Sequence, residues 1–213
     1  VCYILGNSSS LLQCRLRDLE ESGIATIGTN RLLRVIRVEY LLLADLRVLS
    51  EEMDRITSAR PKLLILHDLA AKAQKHLKEI DHWTYFVREP FIPKRQQPYL
   101  GYEPEWQNGV LLRSGNTGTY ALEIAALMGF TEIRLLGIDL RFDLPTSHFY
   151  GVNKYRGHRI KHTQRHLRRV VLAYAALQDR LKDMGVKVIN ESPIDGPLDD
   201  HIPKEKSPWL KNQ

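Results

Sequence analysis

At 213 residues, with 43% apolar and 26% charged side chains, the chain has the composition of a globular protein long enough for one large core. Its net charge of +6, from 31 basic and 25 acidic residues, favours anionic ligands such as nucleotides, sugar phosphates, nucleic acid or a membrane surface without choosing among them. No apolar run approaches the ~20 residues of a membrane span. The two cysteines, Cys2 and Cys14, form neither a metal-binding nor a redox spacing, and with no secretory signal in view a reducing cytoplasm is the expected setting.

Short apolar runs alternate with helical patterns. Val1–Leu5 reads as a strand, and Leu11–Glu21 as an amphipathic helix stopped by Gly23. Ile24–Ile27 and Glu39–Ala44 are the next strands, followed by a helix over Leu46–Ser58. Lys62–Leu66 is a fourth strand, Ala70–Lys78 a basic helix and Trp83–Val87 a fifth strand. A loop with four prolines leads to about Gly109. Thr117–Met128 reads as a helix, Glu132–Leu136 as a strand, and Gly137 to about Gly157 as a polar loop. A long helix over His162–Met184 and a strand over Val186–Ile189 follow, and the proline-rich tail, 193–213, is expected to pack on the surface. This alternation predicts a single α/β domain over 1–213, a Rossmann-like three-layer sandwich with a mostly parallel sheet.

In such sheets ligands bind beyond the carboxyl ends of the strands. "GNSSS" follows the first strand. Gly6 would admit a close backbone approach, Asn7 can donate and accept, and Ser8 and its neighbours can cap a helix or face an anion. A plain structural cap explains the same residues. Gly28-Thr29-Asn30 follows the second strand and Asp45 the third. "RSGNTGT", from Arg113, sets small donors at a helix N-terminus, which carries partial positive charge and suits an anion or nucleotide. Asp139 in "GIDL" sits just past a strand, as a hydroxyl acceptor, a base or a turn cap. "SHFYG" places His148 and Tyr150 in a long loop that suits a lid, with Phe149 as a packed anchor. His158, His162 and His166 share one helical face, as a general base, a phosphate partner or a solvated basic stripe. No carboxylate or cysteine completes a zinc set there, so no metal site is expected. Walker, GxGxxG, DxD, HExxH and GxSxG patterns are absent.

The order "YILGNSSSL", "GTN", "YLLLAD", "GNTGTYALEIAALMGFTEIRLLGIDL", "HFYG" resembles the MptE-like family, whose named member is a 6-hydroxymethylpterin pyrophosphokinase. It is also similar to the bacterial lipooligosaccharide sialyltransferases, which use a CMP-sugar without metal. The resemblance covers about residues 1–150. It implies that Asn7 and Asn30 contact a nucleotide, that Asn116, Thr117 and Gly118 hold its phosphate or sugar, and that Tyr150 steadies the leaving phosphate. It also implies a catalytic histidine before the final helix, for which His162 is favoured over His158 and His166. Two departures stand out: "GNSSS" lacks the second glycine and the proline of the first loop, and Arg141 stands where the sialyltransferases carry a tyrosine.

The expected function is a nucleotide-dependent transferase. A metal-independent glycosyltransferase acting on a nucleotide-sugar and a small-molecule or glycan acceptor comes first, with no resident cofactor. The alternatives are an Mg²⁺-dependent diphosphokinase, its metal held by Asp45 and Asp139, and a nucleic-acid-binding module using the basic stretch 154–169.

Overall fold

A computed structural model describes residues 1–66, 84–87, 116–141, 148–150 and 160–211, with the backbone alone at 46, 65–66, 84–87 and 160–165. The expected basic helix 70–78 and proline-rich loop 90–109 lie outside the described residues. The strands are β1 (Cys2–Leu5), β2 (Ala25–Thr29), β3 (Tyr40–Leu43), β4 (Lys62–Leu66), β5 (Thr84–Val87), β6 (Glu132–Leu136) and β7 (Lys187–Asn190). They form one seven-stranded sheet in the order β5-β4-β3-β2-β1-β6-β7, and its pairings are parallel throughout. The α-helices among the described residues are α1 (Leu16–Glu21), α2 (Leu46–Glu51), α3 (Met53–Ala59), α4 (Thr117–Leu127) and α5 (Ile160–Asp183).

Strand side chains alternate between faces, and here both faces are buried. Cys2 and Ile4 of β1 pack with α4 and α5 in one core, and Tyr3 and Leu5 pack with Leu11, Leu19, Leu49 and Ile56 in the other. This is the expected Rossmann-like three-layer class. α4 is buried from Gly118 to Ala125, which is why its sequence is almost wholly apolar rather than striped. α5 turns one face inward, through Val170, Ala173, Tyr174, Leu177 and Leu181.

Three local expectations are corrected by tertiary contacts. The helix expected over 11–21 is a 3-10 turn, Ser9–Gln13, followed by the shorter α1. The tail causes the break. Cys14 bridges Leu210, the Arg15 N–H donates to the Trp209 carbonyl (2.6 Å), and the Lys211 N–H donates to the Gln13 carbonyl (3.0 Å), so these backbone groups serve the tail instead of a helix. The tail is therefore not a surface strand of chain: Leu198 and Ile202 are core residues.

The helix expected over 46–58 is split into α2 and α3 at Glu52, whose φ of −106° and ψ of 7° leave the helical region. Glu52 is fully buried and accepts from Arg34 and, at 3.2 Å, from Arg55. A buried carboxylate needs such partners, and the kink delivers it to them. Glu52→Gln keeps the volume and removes the charge. It is expected to lower unfolding free energy by about 1.5–3 kcal/mol, the worth of hydrogen bonds to a charged group, measured by urea denaturation.

Candidate functional site

The strand order reverses at β1, whose neighbours are β2 and β6. The connections that follow β1 and β6 therefore run to opposite faces of the sheet, the arrangement at which a crevice forms beyond the carboxyl ends of the strands. A cavity of about 220 Å³ lies there. Gly6, Asn7 and Ser8 line it from β1, Thr29 and Asn30 from β2, and Gly137, Ile138, Leu140 and Arg141 from β6. Asn116, Thr117 and Gly118 at the start of α4 close another wall, and His148 and Tyr150 complete it.

Backbone contacts hold these loops together. The Gly6 N–H donates to Leu136 O (2.9 Å) and the Ser8 N–H to Gly137 O (3.0 Å). The approach is so close that a β-carbon at Gly6 would lie 2.2 Å from Gly137 O, so glycine is required. Ser8 Oγ accepts from the Asp139 N–H (3.0 Å), and the Ser10 hydroxyl donates to Asp139 Oδ1 (2.7 Å). His148 bridges Ser8, and the Phe149 N–H donates to Asn7 O (3.1 Å). Phe149 packs against the second core, as the anchor expected of it, and so presses its flanking residues onto the first loop.

Asn7 does two things. Its Nδ2 donates to both Thr29 O and Thr29 Oγ1, at 2.8 Å each, and the Thr29 hydroxyl in turn donates to Leu5 O (3.1 Å). The carbonyl of Thr29 accepts only, so the amide cannot be reversed, and Asn7 Oδ1 is left buried without a hydrogen-bond partner among the described residues. Asn30 sits at a φ of 51°, in the left-handed region that asparagine tolerates better than most residues. Its Nδ2 donates to Thr117 Oγ1 (3.3 Å), and its Oδ1 is likewise buried without a hydrogen-bond partner among the described residues. Asn116 caps α4 by accepting from the Gly118 N–H (2.9 Å). Gly118 is needed for packing: a β-carbon there would lie 2.2 Å from the Tyr174 hydroxyl.

The His148 and Tyr150 rings stack at 4.9 Å and 15°. Arg31 and Arg34 lie 5.2 and 5.9 Å from the Tyr150 centroid, within cation–π range. Burial pushes the His148 pKa below the ordinary histidine value, which leaves the ring neutral near pH 7. Burial raises the Tyr150 pKa, and Arg31 opposes the rise.

The structure brings Gly6, Asn7, Ser8, Asn30, Asn116, Thr117, Gly118, His148 and Tyr150 to one cavity. It does not bring two others there. Asp45 caps α2, accepting from the Arg47 N–H (2.9 Å) and pairing with its guanidinium. Asp139 is buried beneath the first loop, on Ser10. Arg113 to Gly115 and His158 lie outside the described residues; of the basic stretch 154–169, residues 154–159 lie outside them and 160–165 are described by backbone alone. His162 falls in the first turn of α5, where only the backbone is described, and His166 is exposed on α5 away from the cavity lining. Among the described residues no cluster of three histidine, cysteine or carboxylate side chains can hold a metal ion. No described helix is long and apolar enough to cross a membrane.

Arg31, Arg34 and Leu140 were not legible as site residues. Arg31 and Arg34 reach Tyr150 only because β2 ends beside the 148–150 segment. Leu140 takes a φ of 51°, at a cost of about 1–2 kcal/mol for an ordinary L-residue, and nothing in "GIDLRF" marks it.

Burial raises the Asp139 pKa above the ordinary 3.8, against the opposing Ser10 hydrogen bond. The protonated carboxyl is thus favoured in the folded state. Its contribution is full below pH 3.8 and is lost as pH rises through the folded value. Asp139→Asn keeps an Oδ1 acceptor for Ser10 and removes the charge. Its stability relative to wild type is expected to be higher at pH 7 than at pH 3.5, measured by denaturant unfolding at both. Neither any family model nor any curated protein matches this chain.

Proposed function

We propose that this chain is a nucleotide-dependent transferase whose donor is a nucleotide-activated sugar. One observation carries the proposal: the cavity at the strand-order reversal is walled by Asn7 and Asn30, each with a buried amide oxygen that has no hydrogen-bond partner among the described residues. A buried acceptor left unpaired costs about 1–3 kcal/mol, and a small rotation toward ribose or base donors would recover it. The start of α4, with Thr117 at its first position, suits a phosphate.

The chemistry follows from these groups. An acceptor hydroxyl attacks the anomeric carbon, forming the new C–O bond. The bond from that carbon to the phosphate oxygen breaks, and its electron pair leaves with the nucleotide. Neutral His148 takes the acceptor proton, while the Tyr150 hydroxyl and the α4 N-terminus donate to the departing phosphate. His148 takes the role first assigned to His162 because it lines the cavity. An Mg²⁺-dependent diphosphoryl transfer fits these residues less well. Asp45 and Asp139, which would hold the metal, lie outside the lining, and no step is derived through it.

A thermal-shift screen of CMP, UDP, GDP, ADP and ATP tests the binding. A nucleotide at ~100 times its Kd is expected to stabilise by about 2.7 kcal/mol, and Asn30→Ala to diminish the shift. Absence of any shift at millimolar nucleotide would overturn the proposal. With a donor in hand, His148→Gln is expected to lower kcat by ~10²–10⁴-fold while nucleotide affinity stays nearly constant. Full turnover in that variant would remove His148 as the base.

A further inference from the structure

Resting on the nucleotide reading above, we infer that Arg141 determines specificity in the cavity and selects a donor that departs as a nucleoside diphosphate, its guanidinium receiving the second phosphate. Among the described lining residues Arg141 carries the only permanent charge. The others supply amides, hydroxyls, an imidazole and apolar surface. Hydroxyls, amides and one helix N-terminus suffice for a single phosphate. A diphosphate brings a further negative charge, and a leaving diphosphate gains more as its bond to the sugar breaks. A guanidinium meets that need, because its planar fork of five N–H groups matches phosphate oxygens and stays charged at every working pH.

Arg141 is also held in place. Leu140, buried and left-handed at a φ of 51°, turns the chain out of the line of β6, so that residue 141 reaches the cavity. The tail supports that turn from behind. Gly196 packs so tightly on Asp139 that a β-carbon would lie 2.5 Å from its carbonyl oxygen. The Arg141 Nη1 donates to Asp195 O (3.1 Å). Lys204 clamps the same stretch, donating to Ile194 O (2.9 Å), Asp195 Oδ1 (2.7 Å) and Asp199 Oδ2 (2.9 Å). Asn190, at the end of β7, donates to Asp199 Oδ1 (2.6 Å) and ties the clamp to the sheet. One edge of the guanidinium is thus fixed before ligand arrives, which reduces the entropy lost on binding. The amide pair comes from the β1 and β2 side of the cavity and Arg141 from the β6 side, so a nucleotide laid across the reversal extends its phosphates toward Arg141.

Calorimetric titration of the full chain with CMP against CDP, UMP against UDP, and inorganic pyrophosphate tests this. The wild type is expected to bind a diphosphate about tenfold or more tightly than the monophosphate of the same base, the scale of one charge-assisted hydrogen bond. In Arg141→Gln the ratio is expected to fall to about one, and in Arg141→Lys to an intermediate value. Equal wild-type affinities for the two, or a ratio that survives in Arg141→Gln, would overturn the role of Arg141 and leave the nucleotide reading standing. The wild-type comparison decides even if a variant fails to fold. Binding of pyrophosphate alone would also overturn it, since no nucleoside is then read. If neither monophosphate nor diphosphate binds at millimolar concentration, the nucleotide reading itself fails and this inference with it.

Discussion

The site depends on a backbone contact: the loop after β1 lies directly on the loop after β6, with no room for a side chain between them. Gly6 and Gly137 meet at the distance of a hydrogen-bonded pair of strands, although the strands themselves have ended. Because β1 and β6 are neighbours whose connections leave in opposite directions, this contact forms the floor of a crevice rather than a filled core. Ser8, Ser10 and Asp139 then lock the two loops by side chain, and the 148–150 segment is pinned on top of them. The serines, which on paper suited anion binding, divide between these tasks: Ser8 lines the cavity and also accepts from Asp139, while Ser10 is buried.

Charge is distributed with a clear separation. Two of the buried carboxylates, Glu52 and Glu191, sit in structural pairs away from the cavity lining. Glu52 is paired with Arg34 and Arg55, and Glu191 accepts from the Tyr3 hydroxyl and from Arg134. Each compensates its desolvation with close partners, as buried ions must. Among the described residues the cavity is lined by neutral groups and by Arg141. The basic residues are thus a poor guide to the site, because several of those described are paired with carboxylates at positions outside the cavity lining.

The tail contributes more than its composition suggests. It breaks the first helix at Cys14, buries Leu198 and Ile202, and supplies the backbone carbonyl on which Arg141 rests. Its packing couples the far end of the chain to both the first turn and the cavity. A proline-rich segment can do this because its polar backbone groups are satisfied by cross-chain hydrogen bonds instead of by a helix.

The sequence by itself determined the layer architecture. Apolar runs of four or five residues alternating with helical periods specify a buried parallel sheet, since only that arrangement covers both faces of such strands. It also determined which loops meet, because the carboxyl ends of parallel strands share one edge. Gly6, Asn7, Asn30 and the Asn116–Gly118 turn were legible for that reason. What only the tertiary structure decided is where side chains point and what they touch. Asp139 turns inward to Ser10, Asp45 turns to its own helix, and Glu52 kinks a helix to reach two arginines. Arg141 reaches the cavity through a left-handed Leu140 and a carbonyl more than fifty residues downstream. Local pattern cannot encode these outcomes, because each is set by which distant group satisfies a buried charge or a backbone donor.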